Sequence, residues 1–165
     1  MRFRGGLGAG TKTGWQPQPV VLYDSTTQVA TPAASTAENE LFALTLPVLS
    51  ASAELAFEFD AVHTGSGGTR TWKVKLGGTS ILLPTASATT VPIFAMRGNL
   101  WANSSTSAQI AHAITGRGTD SLLAPINGTG SKDMTTPQVL SLTAQCASAA
   151  DVMTLRRAKV TLLRP

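Results

Sequence analysis

The sequence is short of nearly everything that marks a catalytic or cofactor-binding chain. Its 165 residues include one cysteine, Cys146, which excludes an internal disulfide framework and a cysteine-rich metal centre. There are two histidines, His63 and His112, and neither has a second ligand spaced to join it. Charged residues make up 13% of the chain, about half the usual globular share. Aromatics are sparse at 5%. No apolar run reaches the roughly 18–20 residues of a membrane helix, and the basic start leads into glycines rather than an apolar signal core. Membrane and export are therefore not expected.

Missing motifs exclude further chemistry. Gly5 and Gly10 are followed by Thr11-Lys12 rather than Lys-Ser/Thr, so the phosphate-loop pattern fails. Gly6, Gly8 and Gly10 have the wrong last spacing for a dinucleotide fingerprint. No Gly-x-Ser-x-Gly occurs, and a hydrolytic triad would have to be assembled from scattered residues. Glu58 and Asp60 lie two apart on one strand face, which invites a paired-carboxylate reading, but lysines are on hand to neutralise both. The expectation is a protein that is not an enzyme and needs no cofactor or metal.

The net charge of +4 is uneven. Arg2, Arg4 and Lys12 precede the first acid, Asp24, so the opening segment carries +3 and the rest only +1. This argues against a broad nucleic-acid face, and the few aromatics are not interleaved with the basic residues as a stacking platform requires. Residues 1–19 have no usable period and end in Pro17 and Pro19, which reads as an extended, Gly-rich arm. Arg156, Arg157, Lys159 and Arg164 read as the solvated or interfacial side of a strand.

What the chain does contain is strand signal. From Val20 onward, short runs rich in Thr, Val, Ile and Phe alternate with Gly, Pro, Ser, Asn and Asp. The runs are 20–23, 38–46, 53–63, 70–76, 79–84, 90–102, 107–115, 138–147 and 152–163. They predict an all-β, single-domain sandwich of about 8–9 antiparallel strands, with the arm at 1–19 and the domain at 20–165.

The stretch FEFDAVHTGSGGTRTWKVKL, residues 57–76, predicts a hairpin turning at Ser66-Gly67. Its register would set Phe57 against Leu76, Phe59 against Val74, Glu58 against Lys75, Asp60 against Lys73 and His63 against Arg70. The apolar members would line the space between two sheets and the charged members would lie outside. Gly77-Gly78 predicts a second tight turn, with Val74 opposite Ile81 and Trp72 opposite Leu83, extending the hairpin to a three-stranded meander.

Cys146 shares the apolar side of its run with Leu140, Leu142 and Ala144, and so reads as a buried thiol. In the run 108–114, His112 shares a face with Ala108, Ile110 and Ile114, read as the apolar side. A change of phase in the last run, from Met153 and Leu155 to Ala158, Val160 and Leu162, predicts a bulge near Arg156-Arg157. The segment 116–137 reads as one long loop, with Asn127-Gly-Thr and Asn103-Ser-Ser as turns.

Taken in order, these runs resemble the jelly-roll domains of tailed-bacteriophage virion structural proteins. The matching positions are Leu22, Tyr23, Asp24, Thr26, Glu40, Leu76, Gly77, Gly78, Thr79, Leu140, Leu142, Thr143, Ala144 and Gln145. The likeness spans about residues 20–163 and rests on the order of its motifs. It implies a non-enzymatic jelly-roll homotrimer in the virion, assembled in the host cytoplasm: a capsid decoration or cement protein, or a short head or collar spike. The arm, through Arg2, Phe3, Arg4, Lys12 and Trp15, would dock on the major capsid protein or on a portal or neck protein. The alternative is a carbohydrate- or receptor-binding module of a tail tip or baseplate, its site formed by exposed aromatics such as Trp101 and by the segment 116–137.

Overall fold

The computed structural model describes residues 18–64, 68–83, 85–86, 93–102, 105–117 and 124–164. Every regular element among them is a strand: β1 (Val20–Ser25), β2 (Val29–Ala30), β3 (Asn39–Thr45), β4 (Glu54–Thr64), β5 (Arg70–Leu76), β6 (Thr79–Leu82), β7 (Thr85–Ala86), β8 (Ile93–Ala102), β9 (Gln109–Arg117), β10 (Ala124–Gly130), β11 (Val139–Cys146) and β12 (Val152–Arg164). They form two antiparallel sheets. One runs β1-β12-β4-β8-β9-β10, with β2 beside β12; the other runs β3-β11-β5-β6, with β7 beside β5. The result is the expected jelly-roll β-sandwich.

Alternation decides what each strand buries. β4 turns Leu55, Phe57, Phe59 and Ala61 inward, and from the other sheet β5 adds Trp72, Val74 and Leu76. β11 adds Leu140, Leu142 and Ala144, and β8 adds Phe94, Met96 and Leu100. Trp72 stacks on Phe94 at 4.8 Å between ring centroids, and Phe59 sits between Phe57 and Phe42 at 5.6 and 5.3 Å. Each such ring contributes about 1.5–3 kcal/mol by leaving water.

The predicted hairpin of residues 57–76 does not form. β4 pairs with β12 and β8 in one sheet, whereas β5 pairs with β11, β6 and β7 in the other. Across the core Trp72 meets Phe94 of β8, and Phe59 meets Phe42 of β3, so the apolar residues of β4 and β5 line opposite sheets instead of pairing side by side. Lys73 and Lys75 reach Glu38 rather than Asp60 and Glu58, and Arg70 meets Asp151 rather than His63. Two strands of matching alternation serve equally well as neighbours in one sheet or as opposite walls of a core. The turn residues Ser66-Gly67 lie outside the described residues.

The Gly77-Gly78 turn is present, both glycines with positive φ. Its register slips by one residue after Lys75, so Val74 meets Leu82 and not Ile81. Leu83 leaves the strand and lies exposed, and with β4 in the other sheet there is no meander. The predicted bulge in the last strand is also present: Leu155 pairs with Ala61 and Arg157 with Asp60, leaving Arg156 extra. Cys146 is buried as expected.

The segment 116–137 is not one loop. Residues 124–130 form β10, paired along its length with β9, and Asn127-Gly-Thr lies within it rather than in a turn. β10 crosses so close to β6 that a Cβ on Gly128 would overlap the Ile81 carbonyl. Glycine is what lets the two sheets meet at this edge. Beyond β10, Asp133 accepts bonds from the Thr135 N–H at 2.9 Å and its hydroxyl at 2.6 Å, which hold its carboxyl below the usual range. The buried Gln109 ties this stretch down through the Lys132 carbonyl and N–H, both at 2.8 Å.

Candidate functional site

The residues expected to anchor the chain, Arg2, Phe3, Arg4, Lys12 and Trp15, lie outside the described residues. Trp101 is described, and it marks the outer face of the seven-stranded sheet as the surface with the most to offer.

β9 reaches that face in the opposite phase to the one expected. Ala111 and Ala113 are buried, together with Gln109, while Ile110 and Ile114 are exposed and His112 half-buried. The cause is the neighbouring strand. Beneath β8 the Phe57 ring fills the space in front of Gly98, where a Cβ would lie 2.5 Å from Cζ of Phe57 and 2.8 Å from the Ala113 methyl. Only small side chains fit inward there, so the isoleucines and His112 turn out.

Register then builds a grid. Trp101 lies opposite Ile110, and Ile110 opposite Thr129. In the next row Asn99, His112 and Asn127 stand side by side, and in the third Arg97, Ile114 and Pro125. Pairing of β9 with β10 thus places part of the 116–137 segment on the same face as Trp101, two strands away. Ile93 extends the apolar character, so that three isoleucines, Ile93, Ile110 and Ile114, are exposed by 49%, 39% and 36%.

Toward β4 the face becomes ionic. Glu54 is only 8% exposed although it points outward beneath Trp101, its partner in register. It accepts a bond from Asn99 Nδ2 at 2.8 Å and one from Arg164 at 2.7 Å. Further along, Glu58 lies between Arg97 and Lys159 in register, with Arg97 at 3.8 Å. Asp60 lies opposite Arg157, whose Nε is 3.6 Å from Asp24. Arg157, Lys159 and Arg164 of the basic cluster therefore lie on the outer face with acids beside them, and Glu58 and Asp60, the pair that had suggested catalysis, lie opposite basic residues.

The outer face of the other sheet is organised by one carboxylate. Glu38 reaches Lys73 and Lys75 and accepts from the Thr143 hydroxyl at 2.8 Å. The Lys73 ammonium chiefly, then Lys75, holds its carboxyl down at about 2. Burial pushes the Cys146 thiol the other way, above its ordinary value, aided by the nearby Asp151 charge. Among the described residues no three His, Cys, Asp or Glu side chains come together as metal ligands would.

Sequence reasoning missed Asn99 and Glu54, saw Arg164 only as part of a solvated or interfacial basic cluster, and assigned His112 to the apolar side and Asn127 to a turn. Part of the signal was available: in IFAMRGNLWA, residues 93–102, Asn99 and Trp101 alternate with Met96 and Leu100. The Asn-His-Asn row was not, since it exists only once three strands are paired.

No protein-family model matches the chain, and no curated protein does. Similar solved structures include a peanut lectin with a bound 9mer peptide (TM-score 0.49, 8% identity, 88% of this chain and 98% of that one). A Lotus tetragonolobus seed lectin matches at 0.49 and 9% identity, over 93% and 96%. The VP2 subviral particle of infectious bursal disease virus matches at 0.36 and 14%, over 98% of this chain and 46% of that one. Similarity at this level leaves the surface to be read from its own residues.

Proposed function

We propose that the chain is a non-enzymatic structural protein of a tailed-phage virion, either a capsid decoration or cement protein or a short head or collar spike. The observation that carries this reading is the outer face of β8 and β9. Three exposed isoleucines stand there beside Arg97, which Glu58 faces at 3.8 Å, a surface suited to meeting protein rather than to reacting. The order of motifs along residues 20–163 supports it. In this reading residues 1–19 fasten the sandwich to the major capsid protein or to a portal or neck protein through Arg2, Phe3, Arg4, Lys12 and Trp15, and the molecule is a homotrimer. Deletion of residues 1–19 should abolish binding to particles while circular dichroism stays that of the intact sandwich. Retained binding would overturn the role of the arm, and gold-labelled antibody found nowhere on virions would overturn the whole reading.

A second reading is a carbohydrate- or receptor-binding module. One observation favours it: Trp101 and β10 share a sheet face on which several polar side chains make no hydrogen bond among the described residues. A glycan array probed with the intact protein tests it.

A further inference from the structure

Among the described residues, four side-chain amides are engaged in holding the fold together. Asn39 donates to the Ala37 carbonyl and Ser35, Gln109 clamps Lys132, Gln138 donates to Asp133 and Thr136, and Gln145 donates to Thr36. The patch around Trp101 differs. Asn99 spends its Nδ2 on Glu54, and among the described residues its Oδ1 accepts no bond. His112, Asn127 and the Trp101 indole N–H make no side-chain hydrogen bond among the described residues, and Trp101 enters no ring pair there. Four side chains with unspent hydrogen-bonding capacity thus converge on one face.

We infer that Trp101, Asn99, His112 and Asn127 form a binding site for a neutral pyranose ring. This rests on the carbohydrate-binding reading above and gives that reading a location and a ligand class.

The dimensions fit. Neighbouring strands are about 4.8 Å apart, and residues two apart on a strand are separated by about 6.6 Å. The four side chains therefore span about 10 Å across the strands and about 7 Å along them, the footprint of one sugar ring with its substituents. The chemistry fits as well. A pyranose has an apolar C–H face and an edge of hydroxyls that both donate and accept. Trp101 supplies the flat apolar partner, half-buried and so fixed in place. An amide offers both donors and an acceptor, and a neutral imidazole offers one of each, so the Asn-His-Asn row matches a run of hydroxyls without needing charge.

Charge narrows the class. Glu54 is matched by Arg164 at 2.7 Å and Arg97 is drawn toward Glu58, so among the described residues no unmatched cation adjoins the row to hold a carboxylate or phosphate. A neutral sugar is favoured over a uronate or sialic acid. Ile110 and Ile114 flank the row and give apolar contact to ring C–H groups or a deoxy-sugar methyl. The half-buried Asn99 is prearranged, because the carboxylate that orients its amide is itself held by Arg164.

The test is titration of the isotopically labelled full chain with the methyl glycosides of glucose, galactose, mannose and N-acetylglucosamine, followed by NMR. At least one glycoside should shift the Trp101 indole N–H together with the side-chain amides of Asn99 and Asn127. Trp101→Ala should weaken that glycoside at least tenfold, and so should Asn127→Ala, whose side chain is exposed. Shifts centred elsewhere with Trp101 silent would overturn this site and leave the carbohydrate-binding reading standing. No shift anywhere with any glycoside would overturn both. If the two variants alter self-association and leave glycoside binding unchanged, the face is a protein interface and the inference fails.

Discussion

Arg70 and Asp151 meet at 3.1 Å with neither side chain exposed to solvent. Among the described residues Nε and Nη1 of Arg70 have no hydrogen-bond partner, and the one carboxylate that meets this buried guanidinium there is that of Asp151. Removing one member of such a pair strands the other's charge and typically costs about 3–5 kcal/mol, whereas replacing both by apolar groups is close to neutral. Asp151→Leu alone should therefore lower the unfolding free energy by about 3–5 kcal/mol, and Arg70→Met added to it should recover most of that loss. Denaturant titration of the two variants measures both. A double variant no better than the single would show that the pair's geometry, and not its charge balance, matters here.

Gly128 predicts a second outcome. An alanine there must push β10 off the Ile81 carbonyl, and overpacking of this kind costs about 1–3 kcal/mol. Hydrogen exchange on Gly128→Ala should show the amides of β10 opening while those of β4 and β12 keep their protection. Uniform loss of protection would mean that β10 closes the sandwich cooperatively with the rest.

Glu38 makes stability depend on acid. Its carboxyl is held at about 2, against an ordinary value of 4.5, first by Lys73 and then by Lys75. The folded value lies below the unfolded one, so the stabilisation is complete above about 4.5 and is lost as the pH falls toward about 2. Glu38→Gln should cost on the order of 1–2 kcal/mol at neutral pH, allowing for partial exposure to solvent. That difference from the parent should shrink steadily between pH 4.5 and pH 2 in denaturation curves. A difference unchanged over that range would remove Glu38 as the source.

Cys146 should be inert. Its thiol is buried, and burial raises the pH needed to form the thiolate. A thiol-exchange reagent at pH 8 should react with the native protein only as fast as it unfolds, and at once in denaturant. Rapid native reaction would mean that the end of β11 opens locally.

Much of the fold could be read in the residues because alternation along a strand is local. β5 runs from Arg70 to Leu76 as expected, Arg156 is the expected bulge, and the inward set of β4 is the apolar set of its sequence. Pairing is not local. Phe57 and Trp72 alternate in matching phase whether their strands share a sheet or face each other, and nothing between residues 57 and 76 decides which.

β9 shows a different limit. Its isoleucines are more apolar than its alanines, yet the alanines go inside, because the Phe57 ring and Gly98 on other strands set how much volume is available. β10, with Pro125, Asn127, Gly128 and Gly130, has the composition of a turn and is a strand only because β9 offers it an edge. The candidate site inherits these limits: Trp101 was visible alone, and its neighbours depend on β8, β9 and β10 lying side by side.

The crossing of β4 and β5 between sheets also bears on how the molecule comes into being. Since these consecutive strands do not zip together as a hairpin, β4 finds no partner in the strand that follows it. Its first partner is β8, about thirty to fifty residues further on, and its other edge stays open until β12, about a hundred residues away in sequence, has been made. During synthesis Phe57 and Phe59 leave the ribosome long before Ala158 and Val160 exist to pair with their strand. The nascent chain thus carries an apolar strand with one open edge for most of its translation, and chaperone contact in that interval would fall on residues 54–64.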